Sequence, residues 1–293
     1  MEEIEFMGAL TGIELLEFIR AEAARFLDED PCNRMGEAWG DERIWDPPLL
    51  GVANGADPIF ETFRDKVDPL HWTPAEAFSA GGFEAKAEEL SVVSWVIPNN
   101  PLTKNDNARQ KEMPSERWAR SRFFGETANM KLRAHLAEFL QNAGVDAVAP
   151  MNLPDWTRLR SERYVYTSNW SERHIAHACG LGTFGVCQGL ITPVGKAVRL
   201  SSVVLRGQIK PTSRPYAAYD EYCPFKVNKT CGVCIRRCPV GALSEHGNDK
   251  LRCADHMDNK VSPYIEERFG FKGYGCGLCQ TGVPCESGIP KGA

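Results

Sequence analysis

Apolar residues repeat at helical spacing near the start of the chain. Ile13, Leu16, Ile19, Ala23 and Phe26 recur every three or four positions, as one buried helix face requires. Thr11-Gly12-Ile13-Glu14 ahead of them has the form of a capping box. Prolines at 31, 47, 48, 58, 69 and 74 then break the pattern, so residues 29–82 are expected to be loops and short helices wrapped on a core. The apolar stretch 90–97, stopped by Pro98 and two asparagines, predicts a buried strand. Leu132, Leu136 and Leu140 give one apolar face to a helix expected over 127–141, with Gly144 as its stop. Residues 145–148 should return as a strand, 170–178 as a helix starting near Asn169 or Ser171, and 198–205 as another strand. Strands alternating with helices predict α/β layers over roughly residues 85–207. Lys210-Pro211-Thr212-Ser213-Arg214-Pro215 reads as a linker, after which Cys, Gly and Pro dominate. The expected division is a helical and loop extension over 1–84, an α/β domain over 85–209 and a small cysteine-rich domain over 210–293.

Composition narrows the class. A chain of 293 residues suits about two domains at roughly 150 residues each. Hydrophobic residues are 43% and charged residues 25%, an ordinary globular mixture, which argues against disorder. The net charge of −5 argues against binding nucleic acid by charge alone. The longest apolar run is far too short to span a bilayer. Met1-Glu2-Glu3-Ile4-Glu5 lacks the basic start of an export signal. A cytoplasmic chain without a membrane partner is therefore expected.

The eleven cysteines change the picture, because eight of them follow residue 220. In a reducing compartment such a cluster points to metal rather than to disulfides. Cys231-Gly-Val-Cys234-Ile-Arg-Arg-Cys238-Pro239 is the last three-quarters of the bacterial ferredoxin run. Asn228 stands where the opening cysteine belongs, and Cys223 can fill that vacancy from a loop. Cys253, Cys276, Cys279 and Cys285 complete eight thiols, enough for two 4Fe–4S clusters. Because the cysteine before proline serves the other cluster, the expected sets are Cys223, Cys231, Cys234, Cys285 and Cys238, Cys253, Cys276, Cys279. Structural zinc is the alternative, but 41 residues lie between Cys234 and Cys276, against about 15–20 in zinc ribbons. Gly180-Leu181-Gly182-Thr183-Phe184-Gly185 matches a dinucleotide fingerprint, but a helix precedes it where a strand is needed. These glycines imply either a tight turn or a wall against a large planar ligand.

The string from Trp170-Ser171-Glu172-Arg173 through Gly185, then Gly189-Leu190-Ile191-Thr192-Pro193 and Gly195 to Leu200, is followed by the two-cluster cysteine module. Over roughly residues 85–285 this combination resembles the cobalamin-dependent epoxyqueuosine reductases and reductive dehalogenases. The resemblance implies an α+β or α/β fold: a nitroreductase-like, corrinoid-binding α/β domain followed by a ferredoxin-like domain with two 4Fe–4S clusters. It implies base-off cobalamin lined by Ser171, Gly180, Leu181, Gly182, Thr183, Phe184, Gly185, Ile191, Thr192 and Pro193. Counting back from Glu172 puts Tyr166 where epoxyqueuosine reductases carry an aspartate proton donor, with Arg163 and Arg173 near it in sequence and Tyr164 the next candidate. The expected protein is a cytosolic reductase that takes electrons from a low-potential ferredoxin or flavodoxin. It passes them through the clusters to cobalamin and a small organic substrate. The alternative is an electron-transfer protein that reactivates the corrinoid of a partner enzyme. The end at Ala293, without the helical repeats that help hold tRNA in epoxyqueuosine reductases, and a pI near 5.8 argue here against tRNA as substrate. His174 and His177 are expected to be surface or capping residues, and Cys32, Cys179 and Cys187 receive no role.

Overall fold

The computed structural model describes residues 12–40, 42–163 and 165–292; Thr11 of the expected capping box lies outside them. The chain runs α1 (Gly12–Glu29), β1 (Leu49–Asn54), α2 (Ile59–Lys66), α3 (Pro74–Ala80), β2 (Leu90–Pro98), α4 (Pro101–Ala108) and α5 (Glu116–Asn142). Next come β3 (Ala147–Val148), the hairpin β4 (Arg158–Ser161) and β5 (Val165–Ser168), α6 (Glu172–Ala178), the pair β6 (Thr183–Phe184) and β7 (Leu190–Ile191), and β8 (Val198–Arg206). The cysteine-rich part holds α7 (Pro224–Asn228), α8 (Val233–Arg236), β9 (Leu243–Ser244), β10 (Gly247–Asn248), α9 (Lys250–His256) and α10 (Ser262–Phe269).

The central sheet has the order β1-β2-β8-β3, and every pairing in it is antiparallel. The alternation of strands and helices therefore builds α+β rather than parallel layers. All nine residues of β2 are buried, because both faces of the sheet are covered. Val93, Trp95 and Ile97 meet α1 and α5, including Ile19, Leu132 and Leu136. Leu90, Val92 and Val96 meet Phe78 of α3 and Trp170 and Ile175 at α6. The period of two follows from strand geometry, and each such large side chain contributes roughly 1.5–3 kcal/mol by leaving water.

Three expectations change. Of residues 1–84, the described part from Gly12 on joins the central layers: α1 sits in the core, and β1 pairs with β2 along its whole length, from Leu49↔Val96 to Asn54↔Ser91. Helix α5 starts eleven residues before the predicted position, at Glu116, capped by Ser115 Oγ accepting from the Trp118 amide at 3.3 Å. Its first turns bury Trp118, Ala119, Ser121 and Gly125, a face too small and polar to register as an apolar stripe. The 210–215 segment is laid along the open edge of β1, where Thr212 bonds both the amide and the carbonyl of Val52.

Candidate functional site

The cysteine-rich part folds around sulfur. Val186, Ile191, Leu243 and Val283 pack with Cys187, Cys223, Cys234 and Cys285 in one buried cluster. Cys223, Cys231, Cys234 and Cys285 line a single pocket, with Lys196 in its wall. Cys223 stands at the N-terminal cap position of α7. Asn228, at the other end of that helix, is exposed and takes the Thr230 amide and hydroxyl instead. Cys238, Cys253 and Cys276 form a second neighbourhood. Burial, with the nearby Cys238 sulfur adding to it, raises the Cys253 and Cys276 thiols, the latter to about 11. Cys238 Sγ accepts from the Ala242 amide at 3.2 Å. Cys279, expected in this set, is engaged first by Cys187 and packs against the first sulfur cluster, with Cys276 also near it. Among the described residues, no three His, Cys, Asp or Glu side chains close tightly enough to hold a single ion.

Sequence reasoning missed two residues here, Lys196 and Cys187. Gly195 lets their loop approach the last cysteine: its φ is +86°, and a Cβ there would lie 2.1 Å from the Glu286 carbonyl oxygen. The Lys196 amide then donates to the Cys285 carbonyl at 2.9 Å. Its Nζ turns inward and donates to Cys187 Sγ at 3.3 Å. Burial opposes the ammonium charge, but the Cys187, Cys285, Cys234 and Cys279 sulfurs outweigh it and hold the lysine pKa above its ordinary value. A lone lysine beside a short apolar stretch carries no signal of this in sequence.

A cleft of about 890 Å³ opens beside the cysteine pocket. Phe63, Trp156 and Phe184 give it apolar walls, and Ser168, Ser171, Gln188 and Asn248 give it hydrogen-bonding groups. Among the described residues, its charged lining consists of Lys66, Arg158, Arg173, Lys226 and Lys250, with no aspartate or glutamate. Gly185 and Val186 line both the cleft and the cysteine pocket. Tyr166, on β5, lies in the cleft with 39% of its surface exposed. Arg160, paired across the hairpin, lies 5.2 Å from its ring centre, and Lys250 Nζ donates to its carbonyl at 3.3 Å. Arg163 instead pairs with Asp65, and Arg173 donates to the Gln188 carbonyl. Tyr164 lies outside the described residues.

Helix α6 supplies much of the cleft wall, and its start is tightly held. His71 donates from Nδ1 to the Trp72 carbonyl (2.9 Å) and accepts the Ser171 amide at Nε2 (3.1 Å), which fixes the neutral tautomer. Burial pushes its pKa down to about 4. Glu172 points inward: Oε2 accepts from Ser202 Oγ at 2.7 Å, Oε1 is buried without a hydrogen-bond partner, and burial raises the carboxyl to about 7 against the pull of Arg133. His174 and His177 are not surface residues. Both line the cleft, with Nδ1 engaged by Ser171 Oγ (2.8 Å) and by the Gly182 carbonyl (2.7 Å). Burial lowers both pKa values.

The glycine turn divides differently from the expectation. Of the ten residues expected around the corrinoid, Ser171, Phe184 and Gly185 line the cleft. A Cβ on Gly182 would lie 2.1 Å from the Ile191 carbonyl oxygen, and Gly180 packs likewise on Ser213. These glycines let the chain close on itself. Leu181 joins the apolar core. Thr183 is buried, its hydroxyl accepting the Tyr222 amide at 2.8 Å. Ile191 borders the cysteine pocket, Thr192 is buried against Gly195, and Pro193 is exposed. Among the described residues, no helix is long and apolar enough to cross a membrane.

No family profile matches the chain. It is 26% identical over 171 residues to an epoxyqueuosine reductase of Bacillus anthracis and 27% identical over 171 residues to one of Bacillus cereus. Each alignment covers 57% of this chain and 40% of the relative, less than half the relatives' length. Similar solved structures include a selenomethionine-labelled epoxyqueuosine reductase (16% identity, TM-score 0.49, 96% of this chain and 68% of that one). A reductive dehalogenase described as B12-dependent aligns at 13% identity and TM-score 0.48, over 83% of this chain and 30% of that one. An epoxyqueuosine reductase holding an epoxyqueuosine-modified tRNA-Tyr stem loop aligns at 15% identity and TM-score 0.47, over 96% and 67%. The expectation against tRNA does not stand, because the relatives carry the name of an enzyme seen with that tRNA stem loop. The net charge behind that expectation averages over the whole surface and misses the cationic lining of the cleft. In sequence this chain resembles the epoxyqueuosine reductases, and a reductive dehalogenase is among the solved structures that align with it.

Proposed function

We propose that this chain is an iron–sulfur oxidoreductase that delivers electrons to a corrinoid and a substrate in the cleft. One observation carries the reading: a pocket lined by four cysteines shares its Gly185–Val186 wall with the large cleft. The donor set fits two 4Fe–4S clusters, with Cys223, Cys231, Cys234 and Cys285 to hold one and Cys238, Cys253, Cys276 and Cys279 the other. The buried Lys196 ammonium supports this, since its partners are sulfurs and a buried cation needs buried negative charge. Thiolates bound to iron supply that charge. The cleft fits a large flat macrocycle with amide arms: Phe184, Trp156 and Gly185 to border its plane, and Ser171, Gln188 and Asn248 to bond its edge. When bound, the clusters and the corrinoid supply the electron transfer and the low-potential reducing centre.

The chain's own residues orient the reaction and guard it. Tyr166 brings its hydroxyl to the cleft as the proton donor. The five cationic lining residues draw an anionic substrate toward the opening. A phosphate-bearing substrate suits them, so epoxyqueuosine in a tRNA stem loop is the first substrate to test, and small organic acceptors are the second. Tyr166 inside a cleft favours substrate chemistry over electron transfer to a partner corrinoid protein. A ferredoxin or flavodoxin is the proposed donor. The test is anaerobic purification, iron and sulfide analysis, cobalamin titration by visible spectrum, and turnover of the modified stem loop with a chemical reductant. About eight irons per chain, corrinoid binding and substrate reduction are expected. Stoichiometric zinc, or no cobalamin bound, refutes the reading.

A further inference from the structure

Lys196 is neither a cleft-lining residue nor an iron ligand, yet it is a charged side chain with only 3% of its surface exposed. Its ammonium donates to Cys187 Sγ at 3.3 Å, and the residue lines the same pocket as Cys223, Cys231, Cys234 and Cys285. Cys187, also buried, belongs to neither set of four, and its sulfur reaches both Cys234 and Cys279. One buried cation thus borders the pocket of the first set and, through Cys187, stands near Cys279 of the second. Gly195 and the Lys196–Cys285 backbone bond pin it there.

Reduction of a cluster adds one electron and breaks no bond. A cation held nearby in a region without water is little screened and favours the reduced, more negative state, as do hydrogen bonds to the sulfurs. We propose that Lys196 is a built-in positive charge, positioned by Cys187, that raises the reduction potential of the centre held by Cys223, Cys231, Cys234 and Cys285. The proposal rests on the iron–sulfur reading above.

The test uses the full chain, purified without oxygen and titrated with dithionite under electron paramagnetic resonance, with iron counted for each variant. Lys196→Met removes the charge and keeps the length; Lys196→Arg keeps the charge. With iron retained, Lys196→Met should disfavour reduction of one centre about tenfold or more, which is 59 mV for a one-electron couple. Lys196→Arg should stay close to wild type. Iron lost in Lys196→Met but kept in Lys196→Arg at the wild-type potential also supports the charge. An unchanged potential in Lys196→Met with iron intact overturns the proposal, and so does iron lost from both variants. Cys187→Ala should keep its iron; losing half of it would make Cys187 a ligand and overturn its positioning role. Wild-type protein without iron would overturn the iron–sulfur reading and this proposal with it, whereas the other failures overturn this proposal alone.

Discussion

Replacing Glu172 by Gln should remove a pH dependence that the wild-type protein largely conceals. Burial raises this carboxyl from the ordinary 4.5 to about 7, so the folded chain binds its proton more tightly than the unfolded chain does. The resulting stabilisation is fully present below pH 4.5, declines as pH rises and is gone above about 7. At 1.36 kcal/mol per pH unit, the gap amounts to about 3 kcal/mol. His71 acts in the opposite sense. Its pKa falls from 6.5 to about 4, so its contribution is present above 6.5 and lost as pH falls toward 4. His174 and His177 are lowered in the same sense as His71, so opposing slopes overlap and a wild-type profile alone is uninformative. The difference between wild type and Glu172→Gln isolates the carboxyl. Infrared pH titration should show a protonated-carboxyl band that disappears near pH 7 in wild type and is missing from the variant. Thermal unfolding should show wild type losing about 3 kcal/mol relative to the variant between pH 4.5 and 7.5. A carboxyl band that titrates near 4.5, or two parallel stability profiles, would show that Glu172 is hydrated and refute the argument.

Tyr166→Phe should keep iron and corrinoid while turnover falls at least about tenfold, because a positioned donor is typically worth more than that; turnover within twofold of wild type would move the donor elsewhere. Cys223→Ser should lose about half of the iron, which iron analysis checks, and full retention would leave Cys223 outside the clusters. Gly182→Val should drive its side chain into the Ile191 backbone and lower the melting temperature of the whole chain. Gly185→Val, on the cleft wall, should weaken cobalamin binding with little change in melting, which a spectral titration and a thermal scan distinguish.

Short-range features were legible without coordinates. The apolar run at 90–97 specifies β2, because a strand covered on both faces leaves no polar alternation. The cysteine spacing is equally local, since it depends on neighbours a few residues away. Tertiary structure decided the rest. Period-two patterning says which side of a strand is buried but not which strand lies beside it, so the pairing of β1 with β2 and the antiparallel order were invisible. Glycine permits both a ligand wall and a close chain crossing, and only the Ile191 carbonyl opposite Gly182 separates the two. The cations of the cleft come from residues 66, 158, 173, 226 and 250, too far apart along the chain to form a pattern. Lys196 becomes a buried charge among sulfurs only because Gly195 brings its loop onto Cys285, and burial and charge pairing are properties of the packed molecule.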